Sequence, residues 1–196
     1  MKLSRPLRGA IGFAVGLALW LGLGELYHPI VARATEQLFQ LREHPNVTQL
    51  KPAGSSVILD RADFDRRSPR PQIPVRDLTF NVILLLTLLA ASGPPLTLAH
   101  GGRWAGALFA LFVVHVAALT AKVMTFYVLK LGAWSRVHYG SIARDFWSGA
   151  DHFYRFVGIY AFAFAIWWIA RGDESAETEA VPRPAPKPAR RRSRKR

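Results

Sequence analysis

Apolar residues along the chain are concentrated in four long runs that carry almost no charge, and polar residues lie between and after them. The runs span residues 9–27, 78–98, 104–129 and 152–171. A soluble domain spreads polar positions along every helix, so this segregation is typical of a membrane protein. At about 1.5 Å per residue, each run forms a helix that crosses a hydrocarbon core of about 30 Å. The pattern predicts an all-α integral membrane protein with about four transmembrane helices.

The segment between the first two runs, residues 28–77, is predicted to form a small mixed unit outside the cytoplasm. It opens with "PIVARATEQLFQLREH", which has helical apolar spacing, and Pro29 fits the first turn of that helix. The helix continues outward from the first span or lies on the membrane surface. "VTQL" and "SSVILDRADF" are typical of short strands around the turn "KPAGS". "RRSPRPQIPVRD" has three prolines, which predict an extended linker back to the membrane.

The remaining connections are shorter or lack apolar residues. Pro94 and Pro95 are predicted to break or kink the far end of the second span, and "HGGRW" (His100 to Trp104) to form a tight turn, with residues 99–103 on the cytoplasmic side. Residues 130–151 are predicted to be an extracytoplasmic loop. Residues 172–196 are acidic, then rich in proline and alanine, then basic; they cannot bury a core and are predicted to be disordered.

Charge sets the predicted orientation. The net charge is +13, and eight of the last 14 residues are Lys or Arg. Lys2, Arg5 and Arg8 precede the first run, and short basic flanks stay in the cytoplasm, so both termini are predicted to be cytoplasmic in a bacterial inner membrane. The seven arginines of residues 28–77 partly oppose this orientation. The first run is predicted to be an uncleaved anchor, the alternative being a signal peptide cleaved near "ARA" (Ala32 to Ala34).

The basic tail permits three interpretations: cytoplasmic retention, binding of anionic membrane lipid, or binding of nucleic acid. No aromatic residue interleaves with the tail arginines, so a stacking platform for nucleic acid is missing and that interpretation is disfavoured.

Cysteine is absent, which excludes disulfide bonds, a thiol nucleophile and cysteine-ligated metal. A haem held between two helices would need two histidines that face each other at the same depth in the membrane, and no other histidine lies at the depth of His115. The outer-loop set His138, Asp145, Asp151 and His152 lacks a recognised zinc spacing. The sequence therefore indicates neither a cofactor nor a metal.

His115 and Lys122 are the intramembrane polar residues of the third run, and their seven-residue spacing places them on nearly one helix face. Measured from Trp104, His115 lies about 16 Å deep and Lys122 about 27 Å along the helix, close to the outer interface. Lys122 is expected to reach the headgroups without a partner. His115 is expected to stay neutral and hydrogen-bond across the bundle, or else to act as a proton relay or ligand.

The loop at residues 130–151 is the richest polar stretch. Trp134, His138, Ile142 and Phe146 recur every four residues and are predicted to share one face of a short helix. That helix is interpreted as interfacial and amphipathic, with a platform for a lipid head group, a glycan or a protein as the alternative. The candidate contact residues are Trp134, Arg136, His138, Arg144, Asp145, Trp147, Asp151 and His152. Small residues at Gly9, Gly12 and Gly16 favour close helix packing or an oligomer.

The layout of an N-terminal anchor, a small extracytoplasmic segment and a three-span bundle led by "LTFNVILLLTLLAA" resembles the small integral membrane proteins that accompany exosortases. The resemblance implies an accessory role beside a membrane-embedded, protein-sorting transpeptidase. Such transpeptidases use a Cys nucleophile with Arg and His, and this chain has no Cys, so no catalytic residue is carried over.

Together these features favour a non-catalytic accessory or assembly protein of an envelope complex, linked to protein sorting or export. Its expected partners are membrane lipid and an integral membrane protein such as a sorting transpeptidase. The alternative is a membrane enzyme or proton-linked carrier that uses His115 and Lys122 with the outer-loop polar residues.

Overall fold

The computed structural model describes residues 4–43, 47–62, 69–92 and 98–171, which form a mostly helical protein with a small antiparallel sheet. The prediction of an all-α protein is not confirmed, because three strands form a sheet beside the helices. In chain order the elements are α1 Arg5–Gln40, β1 Thr48–Ala53, β2 Ser56–Arg61, β3 Gln72–Pro74, α2 Arg76–Thr79, α3 Asn81–Ser92, α4 Leu98–Leu129, α5 Ala133–His138, α6 Ser141–Phe153, a π-helical turn Tyr154–Gly158, and α7 Ile159–Arg171.

Three helical segments within the described residues are long and apolar enough to cross a membrane: Arg5–Gln40, Gly101–Leu129 and Ser141–Arg171. The outward faces of α1 and α7 are covered with large apolar side chains, as lipid contact requires. Examples at least half exposed are Phe13 and Leu21 of α1 and Trp168 and Ile169 of α7. The chain is therefore a membrane protein. The second predicted span contains α3, which has 12 residues, and its predicted end at residues 93–97 lies outside the described residues.

Helix α1 runs without interruption for 36 residues, well beyond the first apolar run. Pro29 lies in its interior, so the prediction that Pro29 begins a second helix is wrong, whereas continuation outward from the span is confirmed. Proline removes one backbone hydrogen bond and usually kinks a helix. The buried stripe nevertheless continues past Pro29 through Val31, Ala32, Thr35 and Phe39, because this part of α1 packs on the sheet and on α4.

The small-residue face of α1 packs against α3 and leaves no room for side chains. A Cβ atom built on Gly12 would lie 2.5 Å from the Cβ of Ala90, and one on Gly16 would lie 3.2 Å from the Cα of Ile83. Gly9 faces Ala91. The two helices are therefore antiparallel, and the glycine face predicted to support helix packing does so within one chain.

The sheet has the order β1-β2-β3, with antiparallel pairing throughout. Gly54 and Ser55 connect β1 to β2, and Gly54 has φ +61°, the left-handed conformation that begins a type II′ hairpin turn. The alternating side chains Leu50, Val57 and Leu59 join the buried core. The two predicted strands are present, but the predicted turn is too long: Lys51, Pro52 and Ala53 belong to β1, and only Gly54 and Ser55 form the turn. The predicted linker is corrected in part, since Gln72–Pro74 pairs with β2; residues 63–68 lie outside the described residues.

Helix α4 is already helical at Leu98 and passes through Gly101 and Gly102, so the predicted tight turn "HGGRW" is wrong. Glycine lowers helix stability by only about 1 kcal/mol per residue, which the long apolar helix that follows overcomes. Its end at Leu129 agrees with the prediction. Pro94, Pro95 and the tail at residues 172–196 lie outside the described residues.

The loop predicted at residues 130–151 is mostly helical. Tyr139 is extended and Gly140 starts a new helix, so Trp134 and His138 lie on α5 whereas Ile142 and Phe146 lie on α6; the prediction of one shared helix face is wrong. From Ser141 the chain is helical to Arg171, eleven residues earlier than the predicted start at His152. The wider π-helical turn shifts the buried face of the helix by one position, so the consecutive residues Gly158 and Ile159 are both buried.

Candidate functional site

A network of polar side chains is buried where α1, α3 and α4 meet. The Nδ1 atom of His115 lies 2.7 Å from the hydroxyl of Tyr27, and its Nε2 atom lies 2.6 Å from Oδ1 of Asn81. His115 is 1 % exposed and Asn81 is 0 % exposed. The expectation that His115 hydrogen-bonds across the bundle is confirmed, with partners that are 88 and 34 positions away in the chain.

The chemistry of these partners fixes the tautomer of the neutral ring. Oδ1 of Asn81 only accepts hydrogen bonds, so Nε2–H of His115 donates to it. Nδ1 of that tautomer then accepts a hydrogen bond from the Tyr27 hydroxyl. Both nitrogens of the neutral imidazole are thus hydrogen-bonded.

Further polar contacts surround the histidine. The hydroxyl of Tyr154 donates to the carbonyl oxygen of Leu78 at 2.7 Å, and Thr79 Oγ1 lies 3.4 Å from Nε2 of His28. Nδ2 of Asn81 is buried and has no hydrogen-bond partner among the described residues. The network therefore joins α1, the segment preceding α3, α4 and the π-helical turn.

Lys122 forms an ion pair with Asp151. Its Nζ atom lies 2.9 Å from Oδ2 of Asp151, and the two side chains are 22 % and 11 % exposed. The expectation that Lys122 needs no partner is wrong, because α6 packs along α4 and brings the carboxylate to it. Thr125, almost one turn further along α4, donates its hydroxyl to the carbonyl oxygen of Trp147 at 2.8 Å. Together these bonds fix α6 against α4.

A second polar cluster, absent from the sequence predictions, lies at the C-terminal end of α4. Arg61 Nη1 is 3.4 Å from Oε1 of Glu43, and its guanidinium lies 4.8 Å from the ring centroid of Tyr127 and 4.9 Å from that of Trp134. Thr48 lies 2.7 Å from both Glu43 Oε1 and the Tyr127 hydroxyl. The cluster joins the sheet to α1, α4 and α5. The one sequence signal for this cluster is the alternation of residues along β2, which puts Arg61 on the same face as Val57 and Leu59.

The predicted contact residues of the outer loop divide into inward and outward groups. Trp134 stacks on His138 at a ring distance of 4.2 Å, and Trp147 and Asp151 face α4. Arg136, Asp145 and His152 are exposed, and Arg144 is half-buried. The structure therefore does not gather the eight residues into one site. In the described part of the chain, no three His, Cys, Asp or Glu side chains are close enough to hold a metal ion.

Two pKa shifts outside the spans follow from local surroundings. The hydrogen bond from Lys51 Nζ to Asp60, at 2.6 Å, lowers the pKa of the Asp60 carboxyl, and Arg70 at 3.0 Å acts in the same direction. Burial raises the pKa of the Tyr139 phenol. Neither group combines a nucleophile with a base, so these shifts describe structural contacts.

These helices and their interior bonds define a helical-bundle membrane protein with a small sheet at one end. Comparison of the chain with protein-family models, with curated proteins and with solved structures gives no match.

Proposed function

We propose that this protein is a non-catalytic accessory or assembly component of a membrane protein complex. One observation carries the proposal: the intramembrane groups that could carry out chemistry are engaged in internal bonds. His115 uses both ring nitrogens, and Lys122 is paired with Asp151. A catalytic or carrier site needs polar groups that are open to a substrate, and these groups instead hold helices together.

The proposal extends to topology. Gly9 faces Ala91 near the end of α3, and Trp167 near the end of α7 donates to Ser92 at 2.7 Å. The start of α1 and the end of α7 therefore share one end of the bundle. An even number of membrane crossings meets this condition, and the segment that contains α3 would be the fourth crossing besides the three long helices. We assign that end of the bundle to the cytoplasm of a bacterial inner membrane because the sequence is basic before α1 and again after α7.

The partner that we propose is an integral membrane protein of the envelope, such as a sorting transpeptidase, as the resemblance to exosortase-associated proteins implies. The surface that suits it is the outer end of α5 and α6. Val137 is 81 % exposed and Ile142 is 84 % exposed; polar residues lie between them, and Arg136, Arg144 and Asp145 flank them in sequence. Exposed apolar residues with a polar surround are typical of protein contact surfaces.

The test is site-specific photo-crosslinking in native membranes. A photoreactive amino acid is placed at Val137 or at Ile142, and at Ile169 as the matched control, which is 78 % exposed at the other end of the bundle. We expect one protein adduct, of the same mass from both outer positions and absent from the control. Adducts with lipid alone, or equal adducts from all three positions, would refute the proposal.

A second candidate function, proton-linked transport, is favoured by the linked bonds Tyr27–His115–Asn81. Proteoliposomes that contain the purified chain and an internal pH dye test it under an imposed membrane potential. Transport requires a proton flux above that of empty vesicles, abolished by His115→Phe in protein that still elutes as a single species. Flux equal to that of empty vesicles excludes this function.

A further inference from the structure

A crevice of about 340 Å³ lies between the outer ends of α1, α4 and α6. Phe39 and Leu38 of α1 form one side, Met124 and Thr120 of α4 form the floor, and Trp147 of α6 closes the other side. This volume lies within the range of about 300–1,000 Å³ of small-molecule sites, which are mostly apolar with a few polar groups. The function proposed above does not use the crevice.

The crevice changes from apolar to polar along the bundle axis. Tyr27 of α1 contacts His115 of α4, and Phe39, twelve residues further along α1, contacts Tyr127, twelve residues further along α4, at a ring distance of 6.0 Å; the two helices therefore run parallel. From Thr120 to Tyr127 the floor extends about 10 Å along α4. Its inner part is lined by Met124 and Thr120, and its mouth by Arg42, Glu43 and Tyr139. A ligand that fits this gradient has an apolar chain pointing into the membrane and a polar group at the mouth.

The charges at the mouth select an anion. Arg42 is exposed and forms no ion pair with the described residues. The carboxylate of Glu43 is balanced by Arg61 and accepts bonds from both the backbone N–H and the hydroxyl of Thr48. Arg42 is therefore the uncompensated charge at this mouth. Arginine binds phosphate oxygens through two parallel hydrogen bonds. In a zwitterionic headgroup, the cation beside the phosphate would weaken this interaction, so Arg42 favours an anionic headgroup.

We propose that this crevice binds one anionic glycerophospholipid, with an acyl chain along Met124 and Thr120 and the phosphate on Arg42. Trp147 and Tyr139 lie at the level where aromatic residues contact headgroups. The lipid would join α1, α4 and α6 at their outer ends. A bound lipid that bridges three helices stabilises the assembled bundle by mass action, because it binds the folded state alone.

The experiment measures lipid retention by native mass spectrometry of the full-length protein released from mixed micelles. The probes are dioleoyl-phosphatidylglycerol, dioleoyl-phosphatidylcholine and inorganic phosphate. We expect retention of one phosphatidylglycerol, with an affinity at least tenfold above that for phosphatidylcholine and no effect of phosphate alone. Arg42→Gln should lower phosphatidylglycerol affinity about tenfold, since one charge-assisted interaction is lost.

Arg33→Gln is the matched control, because Arg33 is an exposed arginine of α1 that does not line the crevice. It should leave phosphatidylglycerol binding unchanged. Met124→Trp should reduce retention of the lipid by filling the apolar end. Equal retention of both lipids, equal losses in the two arginine variants, or competition by inorganic phosphate would each overturn the proposal. Arg42 and Arg33 are both exposed, so their comparison does not depend on a folding defect.

Discussion

His115 and Lys122 point from α4 towards different helices, and each is held by a partner that spacing along the chain does not reveal. Asn81 and Tyr27 reach His115 from α3 and α1, and Asp151 reaches Lys122 from α6. Inside a bilayer, polar side chains gain little from solvent and are stabilised by one another. The side chains therefore act as specific links between helices.

Replacing His115 with leucine removes two of these links at once. We expect His115→Leu to destabilise the bundle by about 1–3 kcal/mol, because the Tyr27 hydroxyl and the Asn81 amide then remain buried without partners. Unfolding of the purified protein in mixed detergent micelles measures the change. Val113→Leu, on the half-exposed opposite side of the same helix turn, is the control and should unfold like the wild type. Equal stability of all three proteins would show that the network contributes nothing.

The ion pair calls for a double-mutant cycle. Lys122→Met leaves the Asp151 carboxylate without its cation, and we expect a loss below the 3–5 kcal/mol or so that is typical of fully buried pairs, since both side chains are partly exposed. The double variant Lys122→Met with Asp151→Leu should recover most of that loss. Denaturant unfolding of the four proteins gives the coupling energy. Additive single losses would mean that the 2.9 Å contact carries no energy.

Asp60 provides a test by pH. Its carboxyl has a lowered folded pKa because Lys51 donates a hydrogen bond to it, so its contribution to stability is complete above the usual value of 3.8. The contribution is lost as pH falls through the lowered folded pKa. We expect NMR titration of the carboxyl carbon to give a value below 3.8, and Lys51→Met to raise it. A titration unchanged by Lys51→Met would contradict the assigned cause.

At the scale of elements, apolar runs located the membrane helices and the end of α4 at Leu129, but they placed neither the end of α1 nor the start of the α6–α7 segment. The end of α1 depends on packing beyond the apolar run: the C-terminal part of α1 rests on the sheet, so the helix continues past Pro29. Strand β3 depends on pairing with β2, which the prolines at residues 71 and 74 conceal. The candidate residues His115 and Lys122 could be found because they are polar residues in an apolar run. Their partners could not be found, because residue spacing along the chain does not show which helices pack against each other.

The contact between α1 and α3 predicts opposite effects for two glycines of one helix. Gly12→Ala places a Cβ 2.5 Å from that of Ala90, so we expect a loss of about 1–3 kcal/mol from overpacking. Gly22→Ala meets no atom within 4 Å, so the higher helix propensity of alanine should stabilise the protein by up to about 1 kcal/mol. Unfolding in mixed micelles compares them. Equal shifts would contradict the close approach of α1 and α3.

For the whole molecule, the start of α1 and the end of α7 lie at one end of the bundle. We therefore expect positions 4 and 171 to lie on the same side of the membrane. Because the chain has no cysteine, single cysteines give background-free labels. We expect Ser4→Cys and Arg171→Cys to react with an impermeant maleimide only after the cytoplasmic face is opened. Ser55→Cys, in the hairpin turn, should react from the outside of intact cells. Opposite sidedness of positions 4 and 171 would rule out the four-crossing arrangement.

The glycine face and the polar residues of α1 have a consequence for how the protein is made. Tyr27 and His28 leave the ribosome long before Thr79, Asn81 and His115, the residues that they contact. During synthesis the first span therefore enters the bilayer with its inner face unpaired. The glycines of this helix have no packing partner until α3 is made, and Tyr27 has no hydrogen-bond partner until His115 of α4 is made. Assembly of the bundle can therefore follow the order of translation: a chain stopped before α4 can pack α1 against α3 but lacks the two bonds to His115.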